Sequence, residues 1–319
     1  MLRRALPLRL LDYARDARSL LAWCDLAYLH TLGLPLYGDH HAAHVAKIVG
    51  DQAWERAVRN GWIAPTEDID AYQTRRYGLR VTWDRDRRAR EARSLDGVIV
   101  PGEYLKRMVV GWGVDPSRVQ VIYNAVPPSA APIPQAEARR RLAWPDAPTI
   151  LTVGRILPWK GVDHLIAALR RLPGIRLVVA GDGDLLPSLK AQAADFGDRV
   201  LFLGQVSPDQ VSLLMQAADF VALYSGYEGL SHTLLESLRL GTPVIASDKG
   251  GNPEVVRHGV NGLLVPYVDL DALVSALDEA FRPGLRDSLA ANAHVGMDRF
   301  DFPAMVEATA AALTRLTRS

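Results

Sequence analysis

Residues 149–180 read TILTVGRILPWKGVDHLIAALRRLPGIRLVVA. The two ends, TILTV (149–153) and IRLVVA (175–180), are short β-branched or apolar runs, and GVDHLIAALRRL between them reads as a helix. Strand, helix and strand in that order make a βαβ unit, whose two strands lie parallel with a right-handed crossover. The rhythm continues with VLFLG (200–204) and PDQVSLLMQAA, DFVALY (219–224) and SHTLLESLRL, then PVIAS (243–247) and a short helix near NPEVVRHG. A parallel sheet with helices on both faces binds ligands at the carboxyl ends of its strands. The loops at 154–161, 181–184, 205–208 and 225–231 are therefore where a site is expected.

The first half repeats the pattern less cleanly. Strands are expected at DLAYLH (25–30), HVAKIVG (44–50), GVIV (97–100) and VQVIYN (119–124), with a polar helical region from about Asp68 to Arg93. The proline-rich stretch PPSAAPIPQAEARRRLAWPDAP (127–148) reads as a linker with a lead-in helix at about 135–142. Beyond residue 283 the pattern is helical to the end. This gives two α/β domains, 1–130 and 131–301, with a last helix at about 302–319 expected to pack back on the first.

Composition excludes several classes. The chain has 319 residues, 49% of them hydrophobic, and a formal net charge of +1. It has core material for two domains, and no overall field to draw nucleic acid or a membrane surface. One cysteine, Cys24, makes neither a disulfide framework nor a zinc site, which points to the cytoplasm. Arg9, Asp12 and Arg15 interrupt a signal-peptide core, and no apolar run approaches the roughly 20 residues of a membrane span.

The expected loops carry phosphate chemistry. Gly154-Arg155 follows TILTV and Lys160-Gly161 opens the next helix, so two cations and a helix N-terminus converge, a set suited to a diphosphate. Two exposed cations on a surface loop would read the same way. Gly181-Asp182-Gly183-Asp184 is a tight turn that lets the backbone approach a ligand or simply bend. In SGYEGLSHTLLESLRLGTPVIAS (225–247), Glu228 lies in a loop after a strand, Gly229 to Ser231 present backbone N–H groups, and Glu236 sits two turns into the helix. One carboxylate is placed for a sugar and the other for ribose hydroxyls, although Ser231 is equally an ordinary N-cap.

The ordered set GR (154–155), WKG (159–161), AGDGD (180–184), LGQV (203–206), EGLSHTLLE (228–236), GTPVIASDKGGNPEVV (241–256) and NGLLVP (261–266) resembles glycosyltransferase family 4. That resemblance implies the GT-B fold, two Rossmann-like domains facing across a cleft, and retaining transfer from a UDP- or GDP-linked sugar without metal or other cofactor. It implies that Arg155 and Lys160 neutralise the leaving diphosphate within a donor site that includes Gly154, Gly181 and Asp182. Gly229, Leu230 and Ser231 add backbone donors, Glu228 contacts the sugar, Glu236 the ribose, and backbone near Val206 the base. His232, beside the donor loop, falls at a position that varies in the family.

SLDGVIVPGEYLKRMVVGWGVDPSRVQVIYNAVP (94–127) resembles the end of such an enzyme's N-terminal domain. The usual opening strand and glycine-rich turn are not evident, so this domain reads as shortened and in need of cover from the first helix, another subunit or a membrane. Asp51 is the candidate to face the transferred sugar, where many relatives place a histidine one residue earlier, at Gly50 here; it serves equally to cap the helix QAWERAVRN. His30 is a second candidate. His40, His41 and His44 raise a metal reading that lacks a carboxylate or cysteine partner, and no metal is expected. The arginine-dense run 75–93 suits anionic lipid, an acidic acceptor or an ordinary solvated helix face. The expected activity is hexosyl transfer to a glycan, lipid-linked or small-molecule acceptor, in the cytoplasm or peripherally at a membrane. The alternatives are a nucleotide-sugar-binding protein or subunit that needs a partner to complete its acceptor side, and a nucleotide-sugar epimerase.

Overall fold

The computed structural model describes residues 12, 15–17, 19–33, 41–127 and 131–317. In chain order these form β1 (Leu26–Leu29), β2 (Ala43–Lys47), α1 (Gln52–Arg59), α2 (Ile69–Thr74), α3 (Leu79–Arg93), β3 (Gly97–Val100), α4 (Glu103–Gly111) and β4 (Val119–Val121). There follow α5 (Gln135–Leu142), β5 (Thr149–Val153), α6 (Val162–Leu169), β6 (Arg176–Ala180), α7 (Leu186–Gln192), β7 (Val200–Gly204), α8 (Pro208–Ala217) and β8 (Phe220–Leu223). The remainder is α9 (His232–Arg239), β9 (Val244–Ser247), α10 (Asn252–Val255), β10 (Gly262–Val265), α11 (Leu270–Ala280), α12 (Leu285–Ala291) and α13 (Phe302–Thr317). The α/β class read from the sequence is the one observed. No helix among the described residues is long and apolar enough to cross a membrane.

Contacts divide the chain into two compact units. The first holds residues up to Ala57, then Gln73–Tyr123 and Pro303 onward; the second holds Val58–Tyr72 and Asn124–Phe302. The first unit's sheet is parallel in the simple order β1-β2-β3-β4. Helix α13 covers it, burying Ala312 among Val45, Ile99 and Ile122, while Arg315 donates to Gln120 at 2.9 Å. The polar region 68–93 is two helices, not one, because Gly78 adopts an extended ψ of 164° ahead of α3 and glycine costs a helix about 1 kcal/mol.

The second unit's sheet is parallel in the order β10-β9-β8-β5-β6-β7. From β5 the chain steps outward to β6 and β7, then returns to the other side of β5 to lay down β8, β9 and β10. The connections after β5 and β8 therefore leave in opposite directions, which opens a crevice at their carboxyl ends. β10 lies beyond the alternating series read from the sequence; it is four residues that begin with a glycine and does not stand out as a strand. The core is built from Ile150, Val179 and Phe220 on the strands and Leu165, Ile166 and Leu277 on the helices.

Asp219 ties this sheet to the lead-in helix. Its carboxylate accepts from Arg139 Nη2 at 2.8 Å, Gln135 Nε2 at 3.0 Å and the Thr149 backbone N–H at 2.7 Å. One side chain thus fixes α5 to the starts of both β5 and β8. Its truncation leaves the Thr149 N–H and one N–H of the nearly buried Arg139 guanidinium without their acceptor, while Arg139 keeps Asp146 and the Ala217 carbonyl. Asp219→Ala is expected to lower unfolding stability by about 2–3 kcal/mol, read as a lower urea midpoint.

The segment Val58–Tyr72 precedes β3 in sequence yet belongs to the second unit, where Asp68 accepts a hydrogen bond from Lys249 Nζ at 2.8 Å. Burial alone would raise the Asp68 carboxyl, but the Lys249 bond and the backbone N–H groups of Ala71 and Asp70 hold it below its ordinary value. The Lys249 ammonium is raised in return, chiefly by Asp68. The carboxyl is depressed in the fold, so its contribution is present above pH about 4 and is lost as pH falls through its folded value. The ammonium is raised, so its share is present below about pH 10.4 and is lost above its folded value. Both side chains are about one-third exposed, which limits the pair to about 0.2–1 kcal/mol. The urea midpoints of wild type and Asp68→Asn are expected to differ at pH 7 and to converge below the depressed carboxyl value.

Candidate functional site

The crevice of the second unit is shaped by two loops that touch. Gly161, with φ 65°, closes the loop after β5, and a Cβ there would lie 1.9 Å from the Tyr224 carbonyl oxygen, at the end of β8. The Gly226 N–H donates to the Trp159 carbonyl at 2.7 Å. This contact sets Lys160 Nζ 2.5 Å from Glu228 Oε1, both side chains being less than one-fifth exposed. The two charges compensate one another. Arg155, at the start of the same loop, is exposed and makes no ion pair among the described residues, and it lines one hollow with Gly154 and Lys160. Arg155 is therefore the cation of this loop that is left without an ion partner among the described residues.

Each loop has a backing. Gly181 packs under the first: a Cβ on it would sit 1.8 Å from the Gly154 carbonyl oxygen, and the Ile156 N–H donates to the Asp182 carbonyl at 2.9 Å. In that turn Gly181 thus packs backbone against backbone, and the Asp182 carboxylate accepts from its own turn, at the Gly183 N–H. The second loop is held by Gly250, with φ 61°, whose Cβ would lie 2.2 Å from the Glu228 carbonyl oxygen; that oxygen accepts from the Gly251 N–H at 2.8 Å. Lys249, paired with Asp68, is the residue before this support. Sequence reasoning passed over both Lys249 and Asp68, because their pairing spans 181 residues and no local pattern announces it.

Helix α9 starts at this second loop. Ser231 is buried and its Oγ accepts from the Leu234 N–H at 3.3 Å, an N-cap, with Gly229 and Leu230 buried before it. His232 is exposed at the first helical position. Glu236 is half-buried, and desolvation raises its carboxyl above the ordinary value. It faces a cavity of about 810 Å³ that Val206 and Val153 also line. Val153 borders the Arg155 hollow as well, so the cavity and the cationic loop are neighbours. A further group unseen in the sequence is the aromatic packing of His164, Tyr224 and Tyr267 behind the loops, with ring centroids 5.3–5.8 Å apart. Asp163 bonds the His164 ring and raises it.

The first unit gives a different result for Asp51. Its side chain is fully buried, accepting from the backbone N–H groups of Ala53 and Trp54 at 3.0 and 3.2 Å, from Gln73 Nε2 at 3.0 Å and from Arg88. The guanidinium of Arg88 stacks 3.9 Å from the Trp112 ring centroid, and Trp112 Nε1 donates to Gln73. The helix-capping alternative is the one these contacts describe, and a carboxylate so occupied has no surface to offer a sugar. His30 is exposed beside Tyr28. His41 lies 3.9 Å from Asp25 and His40 falls outside the described residues; no group of three or more metal-ligand side chains occurs among the described residues.

Comparison with known proteins places this geometry. Residues 134–294 match the family model described as glycosyl transferases group 1. The chain is 34% identical over 186 residues to a D-inositol 3-phosphate glycosyltransferase of Mycobacterium marinum, covering 56% of this chain and 40% of that protein. It is 36% identical over 161 residues to a GDP-mannose-dependent alpha-(1-6)-phosphatidylinositol monomannoside mannosyltransferase of Mycobacterium tuberculosis, covering 46% and 42%. The chain thus spans less than half the length of these two relatives. Among solved structures, sucrose-phosphate synthase from Thermosynechococcus elongatus superposes with a TM-score of 0.81 at 23% identity, over 99% of this chain and 80% of that one. The Anabaena protein HepE in complex with UDP and glucose gives 0.74 at 22% identity, over 95% and 80%. These two share the fold. With the family model covering half of its residues, including both site loops and the cavity's Val206 and Glu236, the chain belongs to the group 1 glycosyl transferases.

Proposed function

We propose that this protein is a metal-independent, retaining hexosyltransferase of glycosyltransferase family 4, which moves a sugar from a UDP- or GDP-linked donor to an acceptor hydroxyl. The observation that carries the reading is the meeting, at the β5/β8 switch, of Arg155 and the Lys160–Glu228 pair with a cavity lined by Val206 and Glu236. In the transfer the bond from the anomeric carbon to the β-phosphate oxygen breaks and negative charge gathers on the leaving diphosphate. The Arg155 fork and the Lys160 ammonium oppose that charge, joined by the backbone N–H groups at the start of α9. Those groups supply the compensation a metal gives elsewhere. Front-side attack, with the acceptor proton passing to the leaving phosphate, retains configuration. Glu228 holds Lys160 through one oxygen and has the other for sugar hydroxyls; Glu236 accepts from the ribose diol.

A second reading is a nucleotide-sugar-binding protein or subunit whose acceptor side is completed by a partner. The commitment of Asp51 to its helix cap and to Arg88 favours it, since the carboxylate singled out for the acceptor side is occupied. A peripheral membrane contact at the cytoplasmic face is part of the first reading. Leu79 and Trp83, one turn apart on α3, are 92% and 59% exposed beside Arg76 and Arg80.

Lys160→Ala and Arg155→Ala are each expected to lower sugar transfer, or slow donor hydrolysis, by about 10²–10³-fold with the circular dichroism spectrum kept. Full activity in both overturns the proposal, and nucleotide binding by calorimetry without any turnover across an acceptor panel favours the second reading. In sedimentation with phosphatidylglycerol vesicles, the double variant Leu79→Ser/Trp83→Ser is expected to remain in the supernatant while wild type pellets.

A further inference from the structure

The cavity beside Glu236 offers more polar groups than a ribose needs, and most of them are already engaged. Gln216 is satisfied at both ends, accepting from the Ile133 N–H at 2.6 Å and donating to the Ser212 carbonyl at 3.1 Å. Arg239 donates to the Val126 carbonyl at 2.7 Å, and Arg141 is held by Glu137 at 2.8 Å. What remains on the lining is the Glu236 carboxylate, the Asp209 carboxylate and the Ser212 hydroxyl. Asp209 makes no hydrogen bond or ion pair with any described side chain and is exposed at the second position of α8, three residues after Val206. The other walls are Val206, Pro208, Val211 and Ile133, apolar surfaces suited to the faces of a planar ring.

Resting on the donor-site reading above, we infer that Asp209 selects the base of the donor and that the preferred nucleotide is a guanosine diphosphate. The chemistry is one of matching edges. A carboxylate only accepts, through two oxygens side by side. Guanine presents two adjacent donors, N1–H and N2–H₂, which engage both oxygens at once. Uracil presents one N–H between two carbonyls, so a carboxylate that takes the N–H also faces two lone-pair acceptors and meets repulsion. Adenine and cytosine each set a ring-nitrogen acceptor beside their amino group, which costs one of the two bonds. With Glu236 on the ribose and Arg155 at the phosphates, Asp209 is the uncommitted carboxylate on the base side, next to Val206.

Asp209 also suits the first turn of α8 for a structural reason, since negative charge there complements the helix dipole. Base preference is the readout that such a role does not move. Titration calorimetry of the full chain with GDP and with UDP is expected to show GDP binding about tenfold tighter or more. In Asp209→Ala and Asp209→Asn the two nucleotides are expected to converge within about threefold, through weaker GDP binding, with melting temperatures showing that the variants fold. Equal or tighter binding of UDP by wild type, or a GDP preference that survives Asp209→Ala, overturns the assignment of Asp209 and leaves the donor site standing. Binding of neither nucleotide by wild type overturns both.

Discussion

The approach of the Gly161 backbone to the Tyr224 carbonyl governs the rest of the site. A parallel sheet whose order reverses at β5 leaves two loops at its carboxyl edge with nothing between them. Whether they form a site depends on how near they come. A side chain at position 161 would hold them apart, whatever residues they carried, because its Cβ would overlap a carbonyl oxygen at 1.9 Å. With glycine there, Lys160 and Glu228 meet at 2.5 Å. The ion pair is a consequence of backbone contact between β-strand ends, and the remaining glycines extend the same logic. Gly181 admits the Gly154 carbonyl and Gly250 admits that of Glu228, so both loops rest on backbone rather than on side chains that can change rotamer.

That rigidity matters for charge. A pair as enclosed as Lys160 and Glu228 gives up hydration that its mutual attraction only partly returns. It contributes little to stability by itself, and its value lies in fixing two ionised groups at a defined place. Preorganised charge of this kind acts on a developing anion without first having to turn toward it. Arg155 complements the pair by being uncommitted. Glu236 differs again: its carboxyl is raised by burial and it makes no ion pair among the described residues, which suits a neutral diol better than a phosphate. Three different electrostatic environments therefore lie along one edge of the sheet.

Much of this was legible in the sequence. The alternation of TILTV, IRLVVA, VLFLG and DFVALY with helical stretches specifies a parallel sheet, and a parallel sheet specifies where its ligands go. The loops carrying Arg155, Lys160 and Glu228 follow from that without coordinates. The sequence could not show that Gly181 packs under the neighbouring loop, since close backbone packing and approach to a ligand ask for the same missing Cβ. Nor could it show Asp68 under Lys249, or Asp219 joining α5 to two strands, because side chains far apart in the chain leave no periodic trace. Asp209 was invisible for another reason: an acidic residue in the first turn of a helix is ordinary, and only the cavity beside it and the engagement of its neighbours set it apart.

Asp51 shows how a carboxylate's role is settled by its surroundings. At the end of a strand, one residue after Gly50, where the sequence resemblance implies a histidine in many relatives, it invites a catalytic reading. Its oxygens are occupied by two backbone N–H groups, Gln73 and Arg88, and Arg88 is in turn pinned against Trp112. Releasing Asp51 to a ligand would strand a buried guanidinium and two helix donors, a cost of several kcal/mol with no compensating group nearby. The arginine-dense helix α3, whose sequence suits anionic lipid, an acidic acceptor or a solvated face, thus contributes Arg88 to the interior of its own unit. What Arg88 holds in place there is the start of α1, so the first unit uses its best-placed carboxylate for architecture. The chemistry that the residues themselves support is concentrated in the second.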